Sequence, residues 1–261
     1  MNKAEILKIA LAQSAIDCAC LPEDFLHGNY VIGEAAENPS ARVYIRRPQV
    51  CDMVSYGSNV VAAARTDLFP ALEKYLSSVD AAHAFETPNL LAFNELVAPF
   101  GLKVCFMAEY FLPDPDKLPA IDCGLRIRLL SPREFAHLYL PAWQNALCAE
   151  RKEYDVLCAA AYDGDTLAGL AGCSADCSEM WQIGVDVLPA YRKRNVAAAL
   201  TSRLAKEILQ AGKVPFYCAA WCNLPSVKNA LKCGFYPAWT QMTAMPAEFV
   251  ENFLNGQDKQ C

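Results

Sequence analysis

The sequence predicts an α/β (α+β) chain. Its second half reads as a mixed, mostly antiparallel sheet flanked by helices, and a smaller α/β domain precedes it. Three observations carry this. Residues 181–200 (WQIGVDVLPAYRKRNVAAAL) alternate apolar and polar positions, then switch to a spacing of about four. From Leu125 the periodicities come in the order strand, helical pair, three strands, helix, strand, helix, strand. Between Leu112 and Pro119 three prolines and three charges fall in eight residues, a composition that resists helix and sheet and suits a connector. The expected organisation is therefore an N-terminal domain at 1–112, a Pro-rich linker at 113–122 and a C-terminal domain at 123–261.

The first half opens with an amphipathic helix carrying Ile6, Ile9, Leu11 and Ile16. Tyr30–Gly33 and Ala41–Ile45 read as strands separated by a turn-like Glu37-Asn38-Pro39-Ser40. Asp52–Tyr56 reads as a strand, followed by Gly57-Ser58-Asn59 and a helix from Val60. Asp67–Ser78 and Thr87–Ala98 have helical spacing, the second with Thr87 as N-cap and Pro88 in the first turn. Pro99 and Gly101 close it, and Lys103–Leu112 is apolar enough for a buried strand.

In the second half Leu125–Leu129 alternates as a strand. Ser131-Pro132-Arg133-Glu134 has the form of a capping box and starts a helical region that breaks at Pro141 and continues to about Glu153. Val156–Tyr162 and Thr166–Ser174 are strands joined by the turn Asp163-Gly164-Asp165. The Trp181 strand ends at Pro189, which has no N–H to give a ladder. A long helix follows from about Asn195, with Val196, Leu200, Leu204 and Ile208 on one face, and Gly212 stops it. Pro215–Ala220 is a strand. Asn223 caps the next helix and Gly234 ends it; Ala238–Met245 and Ala247–Leu254 supply a last strand and helix.

A formal charge of −6 argues against a polyanionic partner, so no nucleic acid is expected. The 13 cysteines are odd in number and scattered, several in apolar runs, which suits reduced thiols in a cytoplasmic protein better than a zinc site or a disulfide frame. No metal and no membrane partner is expected: no apolar run reaches the ~18 residues a bilayer crossing needs.

The chemistry concentrates where the Trp181 strand meets the long helix. Arg192, Lys193 and Arg194 crowd a short loop, and the first N–H groups of a helix favour an anion. The run Arg192-Lys193-Arg194-Asn195-Val196-Ala197, led in by Val187 and Pro189, resembles the phosphate loop of the GNAT acetyltransferases, with Asn195 in place of the usual Gly. Asn is among the residues that best tolerate positive φ, so the loop can still close. Asn223, Ser226 and Gly234-Phe235 are similar to a second GNAT segment, which flanks the pantetheine arm of the cofactor.

The resemblance covers about the last 120 residues. It implies a GNAT-like fold and direct acetyl transfer from acetyl-CoA, the acyl donor, to an amine carried by a small molecule or a protein. It further implies that Val185 and Val187 offer backbone groups to pantetheine, and that Arg192, Lys193, Arg194, Asn195, Val196, Ala197 and Ala198 hold the phosphates, with Asn223 and Ser226 along the arm. A base is required to take the amine's proton, and Asp186 and Glu179 are the carboxylates on or beside the central strand. The family's usual acid is a Tyr at the position occupied by Ala230, so Tyr236 or Tyr217 is the substitute, with Tyr236 the first choice. The alternative is a non-catalytic module that binds acyl-CoA or a partner. The first half resembles the N-terminal half of two-domain GNAT proteins. The sequence leaves a monomer and a homodimer open.

Overall fold

The computed structural model describes residues 1–43 and 50–256. They form two compact units that do not follow a single linear boundary. One contains residues 1–9 and 111–237, the other residues 10–43, 50–110 and 238–256. The sequence predicts a break at 113–122; the division by contacts falls instead before Ala10, Phe111 and Ala238. Helix α1 (Lys3–Cys18) and strands β4 (Leu102–Pro113) and β10 (Phe235–Pro246) each give residues to both units. The Pro-rich stretch expected as a linker follows directly on β4, with a 3-10 turn at Pro115–Lys117.

In the second unit the strand order is β1 (Val31–Glu34), β3 (Val61–Ala64), β2 (Cys51–Ser55), β10, β4. The C-terminal part of β10 pairs antiparallel with β2, Met242 opposite Met53. Two helices, α2 (Phe69–Leu76) and α3 (Thr87–Val97), contribute Leu72, Tyr75, Phe93 and Val97 to its core. The helix expected from Val60 is a strand instead. Val61–Ala64 is buried on both faces, and burial in a sheet overrides the helix preference of three alanines. Helix α3 takes Glu86, not Thr87, as N-cap. The strand expected at 41–45 falls partly on residues outside those described.

The first unit is built on β9 (Val214–Ala219), β8 (Met180–Val187), β7 (Thr166–Ser174), β6 (Asp155–Asp163) and β5 (Arg126–Leu130), in that order. Strands β5 to β8 are antiparallel and β9 runs parallel to β8. Helix α5 (Val196–Gln210) covers one face with Val196, Leu200, Leu204 and Ile208, all at most 1% exposed. Burying each contributes about 1.5–3 kcal/mol. Helix α6 (Leu224–Lys232) packs beside it through Ala230 and its C-cap residue Cys233.

The helical pair expected from Ser131 to Glu153 shrinks to α4 (Pro132–Phe135) and 3-10 turns at Pro141–Trp143 and Ala149–Tyr154. Glu134 still reaches back to the Ser131 N–H at 2.8 Å, but beyond it the chain follows the sheet surface rather than its own helical ladder. Helix α7 (Ala247–Leu254) ends the described chain, and no helix among the described residues is long and apolar enough to cross a membrane.

Candidate acyl-donor and acceptor site

The parallel register of β8 and β9 runs only from Met180/Val214 to Ile183/Tyr217. Beyond it β8 continues to Val187 without a strand partner on that side among the described residues, so its edge from Gly184 onward borders a cavity of about 840 Å³. At one end lie the loop into α5 and the start of that helix; at the other lie Cys148, Arg151, Asp155 and Ser174.

The loop has the backbone the sequence required of it. Lys193 and Asn195 hold φ of 62° and 63°, so Asn195 does occupy the left-handed region where glycine is usual. Its side chain does not cap α5; Oδ1 accepts from Lys232 Nζ at 2.6 Å. The amides of Val196, Ala197 and Ala198 therefore start the helix at the cavity wall, with the positive end of its dipole beside them. Arg192 Nε donates to the Val187 carbonyl at 3.2 Å, which ties the loop to the end of β8.

Of the residues singled out from sequence, Val185, Asp186, Val187, Arg192, Lys193, Asn195–Ala198, Asn223 and Ser226 all line this cavity. Arg194 does not: its guanidinium stacks on Tyr191 at 5.3 Å. Tyr236 does not either. Lys3 Nζ sits 4.1 Å from its ring centre, and its hydroxyl is buried without a hydrogen-bond partner among the described residues. Glu179 is an exposed partner of Lys213 at 3.4 Å and is not part of the lining.

Asp186 is in the cavity, but its carboxylate is already used. Oδ2 accepts the amides of Asn145 and Ala146 at 2.8 and 2.9 Å, and Oδ1 accepts Asn145 Nδ2 at 2.6 Å. Beneath that segment lie Gly172 and Gly184, paired across β7 and β8. A Cβ on Gly184 would stand 1.8 Å from the Asn145 carbonyl oxygen, and one on Gly172 2.0 Å from that of Ala146. Two glycines admit the segment and Asp186 holds it there. Both carboxylate oxygens are thus spent on holding this segment against the sheet.

Tyr217, not Tyr236, lines the cavity beside β8; the other lining phenol, Tyr191, donates to Asp163 at 3.2 Å. Tyr217 stands at the last paired position of β9, 4% exposed, with its hydroxyl 2.9 Å from Ser226 Oγ. Burial raises its pKa, partly offset by its bonds to Ser226 and Asn229, so it stays protonated. Asn223 accepts from the Ser226 N–H at 3.3 Å and caps α6. Sequence reasoning missed Lys228 and Lys232, which add two cations to the lining. Their i,i+4 spacing on the helix of Ser226 is a signal that a face-by-face reading finds. Cys148, Arg151 and Asp155 gave no such signal, because only the path of the chain after α4 brings them to the cavity.

The model of the acetyltransferase (GNAT) family matches residues 125–235. That segment, under half of the chain, is similar to the family, and its sheet with flanking helices is the fold expected from sequence. No curated protein matches the chain. Among solved structures, a GNAT-family protein from Novosphingobium aromaticivorans is similar at 19% identity and a TM-score of 0.42. The match covers 55% of this chain and 66% of that one, just under two thirds of its length. A GCN5-related N-acetyltransferase from Sphaerobacter thermophilus is similar at 14% identity over 72% of each chain, with a TM-score of 0.48. A Salmonella typhimurium protein solved with its cofactor acetyl-CoA is similar at 16% identity over 48% of this chain and 94% of that one, with a TM-score of 0.35.

Proposed function

We propose that the protein is an N-acetyltransferase that moves an acetyl group directly from acetyl-CoA to an amine. The observation that carries this reading is the cavity itself. It runs from the amides of α5, ringed by Arg192, Lys193, Lys228 and Lys232, past the unpaired edge of β8 to Tyr217. Amides at a helix start and nearby cations suit a diphosphate. An open strand edge suits an extended arm with its own amides, and its N–H groups suit the oxyanion that develops on the thioester.

The chemistry then assigns itself to groups present. The neutral amine nitrogen attacks the thioester carbon, a C–N bond forms and the C–S bond breaks. Tyr217 gives its proton to the departing thiolate, and the surplus proton on the new amide nitrogen restores the phenol. Holding both reactants in one groove supplies much of the acceleration. The acceptor, like the cytoplasmic setting, is part of the proposal.

Calorimetry with CoA tests the donor site. Lys193→Ala combined with Lys232→Ala is expected to weaken CoA binding at least tenfold, about 1.4 kcal/mol, with little change in thermal stability. Unaltered affinity would show that the phosphates bind elsewhere. A second expectation concerns the loop. Asn195→Gly fits a φ of 63° and keeps the turn, whereas Asn195→Val places a β-branched residue there. The valine variant is expected to lose about 1–3 kcal/mol of stability, read as a lower denaturation midpoint, and to bind CoA more weakly than the glycine variant. Equal behaviour of the two would remove the left-handed turn from the argument.

A further inference from the structure

The end of the cavity away from the basic loop carries a charge that donor binding does not use. Asp155 is 5% exposed and lines the cavity. Both of its hydrogen bonds go to Oδ2, from the Cys148 N–H at 3.2 Å and the Tyr139 hydroxyl at 3.1 Å. Oδ1 has no hydrogen-bond partner among the described residues. The nearest cation, Arg151, is committed: Nη1 donates at 3.1 Å to Asp176, which is fully buried, and Nε donates to Cys148 Sγ at 3.4 Å. Arg151 also favours the Asp155 charge from a distance, but one cation shared by two carboxylates leaves this end net negative.

Its distance from the strand that borders the reaction centre follows from the sheet. Asp155 pairs with Ser174, Ser174 with Gln182, and Gln182 with Phe216, one residue before β8 and β9 part. Asp155 is thus two strand spacings from β8, roughly 10 Å. That is too far for it to meet the nitrogen being acetylated. It is the right distance to meet a second group on the same acceptor.

Resting on the acetyltransferase reading, we propose that Asp155 defines an acceptor subsite selecting amines that carry a second positive charge roughly 10 Å from the reacting nitrogen, such as long diamines. A buried carboxylate with one oxygen free gains more from an ammonium than a solvated one does, because the low dielectric strengthens the attraction. The groups facing it are Tyr139, Cys148, Arg151 and Asp176, with the thiols Cys158 and Cys173 below; burial holds both thiols well above their usual range, hence neutral. Burial also pushes the Asp155 carboxyl up to about 6. The selectivity is therefore expected at pH 8 and to fade as pH falls below 6.

The test compares octane-1,8-diamine with n-octylamine in a CoA-release assay on the full chain. The wild type is expected to show a kcat/KM at least tenfold higher for the diamine at pH 8, carried mostly by KM. Asp155→Asn, which keeps both acceptor bonds at one oxygen, is expected to bring the ratio to about one while octylamine turnover and CoA affinity stay as they were. Tyr139→Phe is expected to move the pH at which the ratio fades upward, because it removes a bond to the charged carboxylate. Equal kcat/KM for the two amines in the wild type, or a ratio that survives Asp155→Asn, overturns the subsite while leaving acetyl transfer standing. No turnover of either amine overturns the subsite, and absence of CoA binding as well overturns the enzymatic reading beneath it.

Discussion

Gly184→Ala is expected to dislodge the segment at Asn145–Ala146 and to impair both stability and the cavity. The added Cβ would lie 1.8 Å from a backbone oxygen, which no rotamer change relieves. Forcing a methyl group into a packed site costs typically about 1–3 kcal/mol. Here the cost grows, because the segment that must retreat is the one held by Asp186. Its three hydrogen bonds to Asn145 and Ala146 stretch together, and each bond to a charged group is worth about 1.5–3 kcal/mol. The variant should lower the urea midpoint clearly, and CoA should restore less of it than in the wild type. Gly28→Ala is the control, since nothing stands within 4 Å of its Cβ. A Gly184→Ala protein as stable as that control would mean the segment is free to lift from the sheet.

Arg42→Ala is expected to be the most damaging single change in the second unit. Arg42 is 1% exposed and paired with Asp17, itself 2% exposed. Its N–H donates to Asp17 Oδ1 at 2.9 Å, and its Nη2 to Gln241 Oε1 at 3.4 Å. Gln241 in turn donates to Asp52 Oδ1 at 3.2 Å. The guanidinium also lies 5.6 and 5.5 Å from the ring centres of Tyr110 and Trp239. Removing the cation leaves buried carboxylates without their counter-charge, a loss of about 3–5 kcal/mol.

The pH dependence has a definite sign. Burial raises the Asp52 carboxyl from 3.8 to about 6, with Gln241 and Arg42 pulling it back. The folded state thus holds that proton more tightly than the unfolded chain. Its contribution to stability is present below 3.8 and lost as pH rises through 6. Without Arg42 the carboxyl rises further and the loss deepens. The destabilisation should therefore be smaller at pH 4 than at pH 8, in denaturant melts at each pH. A deficit independent of pH would mean that lost packing, not lost charge, is responsible.

Much of the first unit was legible because its signals are local. Strand alternation at Trp181–Val187, the spacing of Val196, Leu200, Leu204 and Ile208, and the N-cap at Asn223 each depend on neighbours in the chain. The basic end of the cavity was legible for the same reason: Arg192, Lys193, the left-handed Asn195 and the helix amides lie within seven residues. Errors arose where distant groups decide. Alanines at 62–64 read as helix until a sheet buries them, and a helical pair was expected where Gly172, Gly184 and Asp186 instead hold an extended segment. The partners of Asp186 were not legible because its three donors come from some forty residues away.

Sequence alone determined the order of strands and helices from Val156 onward, the left-handed loop before α5 and the likeness of residues 125–235 to the GNAT family. Periodicity and backbone preference act over a few residues, and these features need nothing more. Tertiary structure decided which charges are free: Asp186 bound by a loop, Arg151 paired with Asp176, Tyr236 outside the cavity, Tyr217 and Asp155 within it. A side chain's chemistry depends on its partners and its exposure to water, and both are set only when remote segments of the chain meet.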